Sequence, residues 1–280
     1  MRIHILFFTL CCLLCHKAAA QDRTGITRFA NGYVAVSTSG QATRLSATGE
    51  VTGTVTVCNA PLLCVASDGT ALLAGGANGV LFASADGTVF SPVDSGVESD
   101  ITSLTAFKGK WVAGTRAGQL LVGDAGSGFV MADVSFVGSV TSLAAATGQC
   151  GGVTASGDVF LSKNGTDWKV ISFNNYYDGY YPACSFTAVC MGGGRIAVAG
   201  TQNDGKPALY FSTNGNVWSA RELNYQGPQN NYLFVEGTPL RMTYQKEKDQ
   251  FVLVFDNGFL LEVPPCSHCN KWLPISQNIF

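Results

Sequence analysis

Short apolar segments separated by Gly, Asn, Asp and Ser recur along the chain after its first twenty residues. The clearest example runs from Gly157 to Trp168, where an apolar stretch, an Asn-Gly turn and an aromatic residue follow one another. Short segments rich in β-branched and aromatic residues and bounded by turn residues are typical of antiparallel strands. No segment has the 3.6-residue periodicity of a convincing amphipathic helix, so the pattern predicts an all-β protein.

The pattern repeats at a fixed interval. A glycine follows the second predicted strand of each unit, and the six copies are Gly40, Gly79, Gly118, Gly157, Gly205 and Gly258. The first four are spaced 39 residues apart. The last two follow after intervals of 48 and 53 residues. A constant period of this size indicates a repeat architecture, in which each unit buries its faces against its neighbours.

Each unit contains four predicted strands. In the third unit, Ile101–Phe107 and Trp111–Ala113 precede the hairpin glycine, Gln119–Val122 follows it, and a second turn leads to the fourth strand. Six such units predict a six-bladed β-propeller of four-stranded antiparallel blades, a single domain over residues 21–280, because radial closure hides the inner strand edges. A β-sandwich or two stacked small domains is the alternative, which the regular period and the absence of a linker disfavour.

Residues 1–20 have the composition of a secretory signal peptide. A weakly basic start precedes an apolar segment from Ile5 to Cys15, and three alanines provide small residues for cleavage before Gln21. The apolar segment is too short to span a bilayer, which disfavours the alternative of an uncleaved membrane anchor. We therefore expect a secreted, extracellular protein whose mature chain does not insert into a membrane.

The mature chain would carry 15 basic and 19 acidic residues, a net charge near −4. Such a surface does not attract nucleic acid or anionic lipid. The partners that we expect are an extracellular protein or a glycan, and not a nucleic acid.

Cysteine usage fits an oxidising compartment. Ten cysteines occur in the sequence, three of them in the first twenty residues, and in an exported protein most of the other seven should pair. The candidate disulfide cysteines are two pairs six residues apart and a C-x-x-C, with Cys150 left over: Cys58 with Cys64, Cys184 with Cys190, and Cys266 with Cys269. Connectivity cannot be deduced from sequence alone, so these pairs are expectations.

The turn between the third and fourth strands is similar to a known motif. Ser84–Phe90, Ser162–Trp168 and Ser212–Trp218 resemble the Asp-box, or bacterial neuraminidase repeat, of sialidase-like propellers, although they are about one residue shorter and favour Asn over Asp. In such a turn the Asp or Asn side chain caps its own backbone, Gly supplies the positive φ and the aromatic residue packs between blades. The resemblance implies a β-propeller and, because the Asp-box is structural, implies little about activity.

Catalytic signatures are missing from the chain. Sialidases that share this fold use an arginine triad, and their early Arg-Ile-Pro motif is replaced here by Arg28, Phe29 and Ala30. His268 is the one histidine after the signal segment, which excludes multi-histidine metal sites, and a lone C-x-x-C supplies too few metal ligands. We therefore predict a non-catalytic member of the superfamily, with no catalytic residue, no metal and no cofactor.

Carboxylates are the remaining enzymatic equipment. By analogy with other propellers, the connections between blades lie on the face that carries ligand sites, and Glu98, Asp100, Asp178 and Glu236 lie on such connections. Two of them across a central pocket could serve a divergent glycoside hydrolase or lyase. Solvated loop acids are the favoured interpretation, because no partner residues are specified.

The 39-residue period breaks around the fifth unit, where three connections are longer: 173–184, 203–207 and 224–232. All three should project from the same face, and loops on a rigid scaffold are where binding usually resides. Tyrosine with Asn and Gln combines rigid apolar area with adaptable hydrogen bonds. We predict a binding surface that comprises Tyr176, Tyr177, Asp178, Tyr180, Tyr181, Asn203, Asp204, Lys206, Tyr225, Gln226, Asn230, Asn231 and Tyr232. The alternative is that these loops only cover exposed core.

One of the Asp-box-like turns also contains a glycosylation sequon. Asn164-Gly165-Thr166 fits the acceptor pattern, and a glycan there would mark the turn face as exposed and distinct from the binding face. An unmodified turn asparagine is the alternative. Taken together, the sequence predicts a secreted, non-enzymatic propeller that binds a protein or glycan through the loops around its fifth blade.

Overall fold

The chain folds into six antiparallel sheets around a central axis in the computed structural model, which describes residues 23–226 and 232–264. Five of the sheets have four strands each, and the described part of the sixth has three. The predicted all-β six-bladed propeller is therefore confirmed. The calls on residues 1–20 lie outside the described residues.

Strand order within each blade follows chain order, so that every blade is one continuous segment. Blades 1 to 3 comprise β1 Arg23–Phe29, β2 Gly32–Ser37, β3 Gln41–Leu45, β4 Val51–Thr56, β5 Leu62–Ser67, β6 Leu72–Gly76, β7 Leu81–Ser84, β8 Ser91–Pro92, β9 Ile101–Phe107, β10 Lys110–Thr115, β11 Leu120–Asp124 and β12 Gly128–Met131. Blades 4 to 6 comprise β13 Val140–Ala146, β14 Gln149–Thr154, β15 Asp158–Ser162, β16 Trp168–Ser172, β17 Cys184–Gly192, β18 Arg195–Gln202, β19 Pro207–Ser212, β20 Ser219–Arg221, β23 Pro239–Gln245, β24 Gln250–Phe255 and β25 Leu260–Val263.

Few elements lie outside the blades. A short hairpin of β21 (Asn224–Gln226) and β22 (Tyr232–Phe234) connects blades 5 and 6. One helical turn, α1 (Phe173–Tyr176), connects blades 4 and 5, and a 3-10 turn spans Ala77–Gly79. Within the described ranges, no helix is long and apolar enough to cross a membrane.

The hydrophobic core lies in the interfaces between consecutive blades, which we call seams. Five clusters of buried side chains occupy the seams from blades 1 and 2 to blades 5 and 6. Because each blade is covered on both sides, its middle strands are apolar on both faces: Val34 and Val36 face the seam with blade 2, and Ala35 between them faces the other side.

The two faces of the propeller carry different connections. In blades 2 to 6 the residue after the second strand donates its backbone N–H to a carbonyl just before the first strand of the same blade, as Arg116 does to Asp100 (2.9 Å) and Ala155 to Ser139 (2.9 Å). The hairpins between second and third strands and the connections between blades therefore share one face, the loop face. The turns between third and fourth strands lie on the opposite turn face.

Every innermost strand contains a β-bulge at the equivalent position. The register of pairing with the second strand shifts by one residue in all six blades, at Thr24, Leu63, Thr102, Thr141, Thr187 and Leu240. A bulge adds a residue to one strand, so side chains on its two sides no longer follow simple alternation.

The predicted disulfide between Cys184 and Cys190 is wrong, since both thiols are free. The two residues lie on the single strand β17, where six residues span about 20 Å, whereas a disulfide requires Cα atoms within roughly 7 Å. The bulge at Thr187 also turns them to opposite sides of blade 5, one in each flanking cluster.

The pair Cys58 and Cys64 is wrong for a similar reason. Cys58 packs against the cluster between blades 1 and 2, and Cys64, beyond the bulge at Leu63, belongs to the cluster between blades 2 and 3. Cys150 is buried and free as well. Burial raises the pKa of four thiols to about 12, which makes them unreactive in the folded protein: Cys64, Cys150, Cys184 and Cys190. Cys266 and Cys269 lie outside the described residues.

Candidate binding surface around the fifth blade

The connection 173–184, which we call the tyrosine loop, packs into the seam between blades 4 and 5. It begins at Phe173, whose side chain is fully buried, and its ring lies 4.7 Å from that of Tyr210 and 5.3 Å from that of Phe186, measured between centroids. Asn174 fixes the two ends of the loop, because its amide nitrogen donates to the backbone oxygens of Ser156 (3.1 Å) and Cys184 (3.0 Å). The tyrosine loop is thus held by the blades beneath it.

Two of its four tyrosines are part of that packing. Tyr177 and Tyr181 are partly buried against the cluster between blades 4 and 5. Their hydroxyls donate to the backbone oxygens of Asn216 (3.3 Å) and Trp218 (3.2 Å) on blade 5. Burial raises the pKa of Tyr177 above its ordinary value. Tyr177 and Tyr181 therefore cover the core, as the alternative interpretation of this loop predicts.

The other two tyrosines face solvent. The side chains of Tyr176 and Tyr180 are 71% and 74% exposed. Each ring packs edge-on against a buried neighbour, with 4.8 Å between the centroids of Tyr176 and Tyr177 and 4.7 Å between those of Tyr180 and Tyr181. The exposed rings are therefore supported from below. Asp178 lies between them and is exposed.

A cavity of about 560 Å³ lies beside the exposed rings, along the outer strand of blade 4. It is lined by strand β16 from Lys169 to Ser172, by Asn175 and Tyr176 of the tyrosine loop, and by Asn216 of blade 5. Lys169 donates to the side-chain oxygen of Asn216. The lining combines an aromatic ring, two amides and one cation.

The second predicted loop lies next to the end of the tyrosine loop. The backbone N–H of Asn203 donates to Ala183 O at 3.0 Å. Asp204 and Lys206 form an exposed ion pair at 2.8 Å, and the hydrogen bonds that Lys206 donates hold the pKa of Asp204 below its usual range. The first two predicted segments are therefore adjacent on the loop face.

The third predicted segment lies on the other side of blade 5. Its hairpin, β21 and β22, borders a smaller cavity of about 200 Å³ together with Lys206, Arg221 and the exposed Phe234. The backbone of Tyr225, Gln226 and Tyr232 belongs to this hairpin, but their side chains, like Asn230 and Asn231, lie outside what the structure describes. Blade 5 thus has a cavity on each flank, and Lys206 belongs to the one opposite the tyrosine loop.

The turn face is occupied by the Asp-box-like turns. In the turn that contains the sequon, Ser162 Oγ accepts the N–H of Gly165 (2.8 Å), and Asn164 Oδ1 accepts the N–H groups of Thr166 (3.0 Å) and Asp167 (2.8 Å). The same three bonds recur around Asp86 and Asn214. In the latter turn Gly215 has φ of +71°, and a side chain there would meet Leu161 of blade 4, so each turn packs on the preceding blade.

None of the four acids of the hydrolase alternative lines one of the three cavities formed by the described residues. Glu98, Asp178 and Glu236 are exposed on three different connections. Asp100 accepts the N–H of Asn78 (3.0 Å) and pairs with Arg116 (2.9 Å), and these bonds lower its pKa, whereas a general acid requires a raised pKa. No group of three or more metal-ligating side chains occurs in the described part of the chain.

Hydroxyl groups at the bulges link consecutive blades, a feature that sequence reasoning missed. Thr24 Oγ1 donates to Leu62 O (2.6 Å), and three other bulge threonines repeat the bond to the next blade: Thr102 to Val140 (2.5 Å), Thr141 to Phe186 (2.8 Å) and Thr187 to Pro239. The 39-residue interval between Thr102 and Thr141 was the available signal. Leucine occupies the bulge in blades 2 and 6, where Cys64 Sγ bonds to Ile101 O (3.3 Å) and Arg241 bonds to Thr24 O instead.

The bulges border a central channel of about 460 Å³, to which the innermost strands of all six blades contribute. The lining is a mixture of hydroxyl-bearing and aliphatic side chains with two arginines, Arg28 and Arg241. None of the predicted binding residues lies in it. The molecule therefore has a polar channel on its axis in addition to the two cavities beside blade 5.

Comparison with known proteins shows the fold. No family model matches the chain, and no curated protein matches it in sequence. Among solved structures, the WD40 repeats of RRP9 superpose with a TM-score of 0.72 at 12% identity, over 93% of this chain and 81% of that one. YCF48 bound to a D1 peptide superposes with a TM-score of 0.65 at 14% identity, over 91% and 82%. The computationally designed protein Ika8 gives 0.59 at 16%, over 86% and 70%. The chain is thus similar to β-propellers in fold, and Asp-box membership stays a prediction.

Proposed function

We propose that this propeller is an exported binding protein, and that it holds a protein or glycan partner on the loop face around blade 5. The observation that carries the proposal is the pair of exposed rings, Tyr176 and Tyr180, on a loop whose other half is fixed in a seam. Tyrosine offers a large amphipathic contact at a small conformational cost, and a ring that is already supported loses little freedom on binding.

The cavity beside Tyr176 adds to this proposal. Its amide and lysine side chains offer hydrogen bonds around the aromatic ring, a combination that suits both peptides and sugars. The similar structure of YCF48 was solved with a D1 peptide, and this supports a peptide-binding role without indicating the partner here. Asp178, Asn203 and Asp204 would contribute the polar rim of the surface.

The Asp-box relationship, glycosylation at Asn164 and export belong to the same proposal. The three turns with identical hydrogen bonds support the first, and the exposed side chain of Asn164 supports the second. The five free cysteines argue against export, since thiols usually pair in oxidising compartments. Expression of the full chain, with detection of a chain that starts at Gln21 in the medium, tests export directly; retention of the intact chain inside the cell would contradict it.

The binding proposal is tested by removing only the exposed rings. Tyr176→Ser combined with Tyr180→Ser should abolish capture of the partner from the protein's own extracellular fluid, and binding to a glycan array, while thermal unfolding stays within about 2 °C. The matched control is Val89→Ser with Val130→Ser, two residues on blades 2 and 3 that are 69% and 70% exposed. The control should bind as the unaltered protein does.

A variant of all four tyrosines would not be a clean test. Tyr177 and Tyr181 pack in the core, so their loss would reduce stability as well as the surface. Partner binding that survives in the double variant, or that is lost equally in the control on blades 2 and 3, would show that the surface lies elsewhere.

A further inference from the structure

The central channel is positively charged along its length. Arg28 and Arg241 are the charged side chains among its described lining residues, and no carboxylate is present there. Arg241 lies one residue after the bulge of blade 6, and Arg28 lies four residues after the bulge of blade 1. This difference of three residues places them about 10 Å apart along the inner strands. Neither belongs to an ion pair among the residues that the structure describes.

Three of the acids near the two mouths of the channel are already engaged. Asp100, at the start of blade 3 on the loop face, is paired with Arg116 at 2.9 Å. At the opposite mouth, Asp249 is paired with Arg195 at 3.4 Å, and Asp68 accepts the N–H groups of its own turn. The charge of the channel arginines is therefore not neutralised by these neighbours.

One level of the channel combines the guanidinium with small and polar side chains. The six residues that follow the bulges form a ring: Gly25, Cys64, Ser103, Ser142, Ala188 and Arg241. Gly25 allows blades 1 and 2 to approach each other closely, because even a methyl group there would lie 3.1 Å from the Cα atom of Cys64. Arg241 bonds across the seam between blades 6 and 1 to Thr24 O through one Nη atom, and its other N–H groups have no partner among the described residues.

The two serines of the ring can also donate. Ser103 Oγ accepts the N–H of Leu143 (2.8 Å), and Ser142 Oγ accepts the N–H of Val189 (3.2 Å). These bonds use the oxygen lone pairs and fix the position of each hydroxyl, so that its proton is left to donate. Both serines are partly exposed and line the channel.

We propose that the channel is a binding site for a small oxyanion ligand, held by Arg241 with the hydroxyls of Ser103 and Ser142 and attracted by the field of Arg28. The guanidinium fork matches a carboxylate, sulfate or phosphate group, and charge-assisted hydrogen bonds are the strongest that such a site can offer. A volume of about 460 Å³ accommodates a small organic anion. This site is separate from the surface around blade 5, so the two proposals stand or fall independently.

Equilibrium dialysis with labelled sulfate, phosphate and acetate, at constant ionic strength, tests the site. We expect one anion per chain with a dissociation constant on the order of 1 mM for the best of the three, and the order of affinities distinguishes a tetrahedral anion from a carboxylate. Arg241→Gln should weaken binding about tenfold or more, because a charge-assisted contact is lost. Arg241→Lys should retain part of the affinity.

The matched control is Lys163→Gln, which removes an exposed cation of the turn face outside the channel and should leave binding unchanged. Because Arg241 also bonds to blade 1, Ser103→Ala with Ser142→Ala provides a second test in which we expect about a fivefold loss. Absence of bound anion at 10 mM of each probe, about ten times the expected dissociation constant, would overturn the proposal. So would equal binding by the unaltered protein and by folded Arg241→Gln or the serine variant.

Discussion

The seam between blades 4 and 5 and the seam between blades 6 and 1 hold their blades together in different ways. The first contains a cluster of large aromatic side chains, including Phe173, and a hydroxyl bond from Thr141 to the next blade. The second joins the two ends of the described chain, has leucine at the bulge and is crossed by Arg241. Small side chains face it, such as Ala35 of blade 1.

The difference shows how a repeated unit can be specialised. Seams between blades that are consecutive in sequence can gain core from inserted loops, as the tyrosine loop adds Phe173 to one of them. No described connection joins the blades of the closing seam, and the polar contact of Arg241 across it borders the channel. Three substitutions test this comparison.

Removal of the central ring of the aromatic seam should have the largest effect. Phe173→Ala deletes a fully buried side chain that contacts five other aromatic rings, and we expect it to lower the free energy of unfolding by about 3–5 kcal/mol. Urea denaturation measures the change. Phe234→Ala, at a site that is 73% exposed, should change it by less than about 0.5 kcal/mol. A loss below about 1 kcal/mol for Phe173→Ala would mean that the tyrosine loop is not part of the core.

Removal of one hydroxyl between blades should have a smaller effect. Thr141→Val keeps the shape of the side chain but leaves Phe186 O without this donor, and we expect a loss of about 1–2 kcal/mol in the same measurement. Thr54→Val, which removes an exposed hydroxyl of blade 1, serves as the control and should be nearly neutral. Equal effects of the two would indicate that the hydroxyls at the bulges do not stabilise the seams.

Addition of a hydroxyl to the closing seam should have the smallest effect, and the opposite sign. Leu240→Thr places a donor at the bulge of blade 6, the position at which four of the other five seams have threonine bonds, and we expect a gain of about 0.5–1 kcal/mol. Leu240 is 45% exposed, and Leu233→Thr, at 41% exposure in the β21–β22 hairpin, controls for the loss of leucine. If Leu233→Thr also raises the free energy of unfolding, the gain in Leu240→Thr cannot be attributed to the seam.

The architecture could be predicted because it rests on local patterns. The 39-residue interval between Gly40 and Gly157 reflects hairpins that every blade must form, and the period fails where the tyrosine loop is inserted. The turn around Asn164 has the hydrogen bonds that its Ser, Asn and Gly residues predict. Each of these features depends on residues that are close together in sequence.

Features that depend on register could not be predicted in this way. The bulges at Leu63 and Thr187 turn cysteines that are six residues apart toward different seams. The division of the tyrosine loop into two buried and two exposed rings follows from its path over Tyr210, which lies far from it in sequence. The channel ring combines single residues from six blades, and no local pattern marks Arg241 as one of its members.

The continuity of each blade with the chain also determines how the molecule would respond to mechanical load. Blades 6 and 1 meet at the two ends of the described chain, so a force that pulls those ends apart acts first across the seam bridged by Arg241 and Thr24. We expect the circle of blades to open at this seam before any blade unfolds, which would expose the channel to solvent along its side.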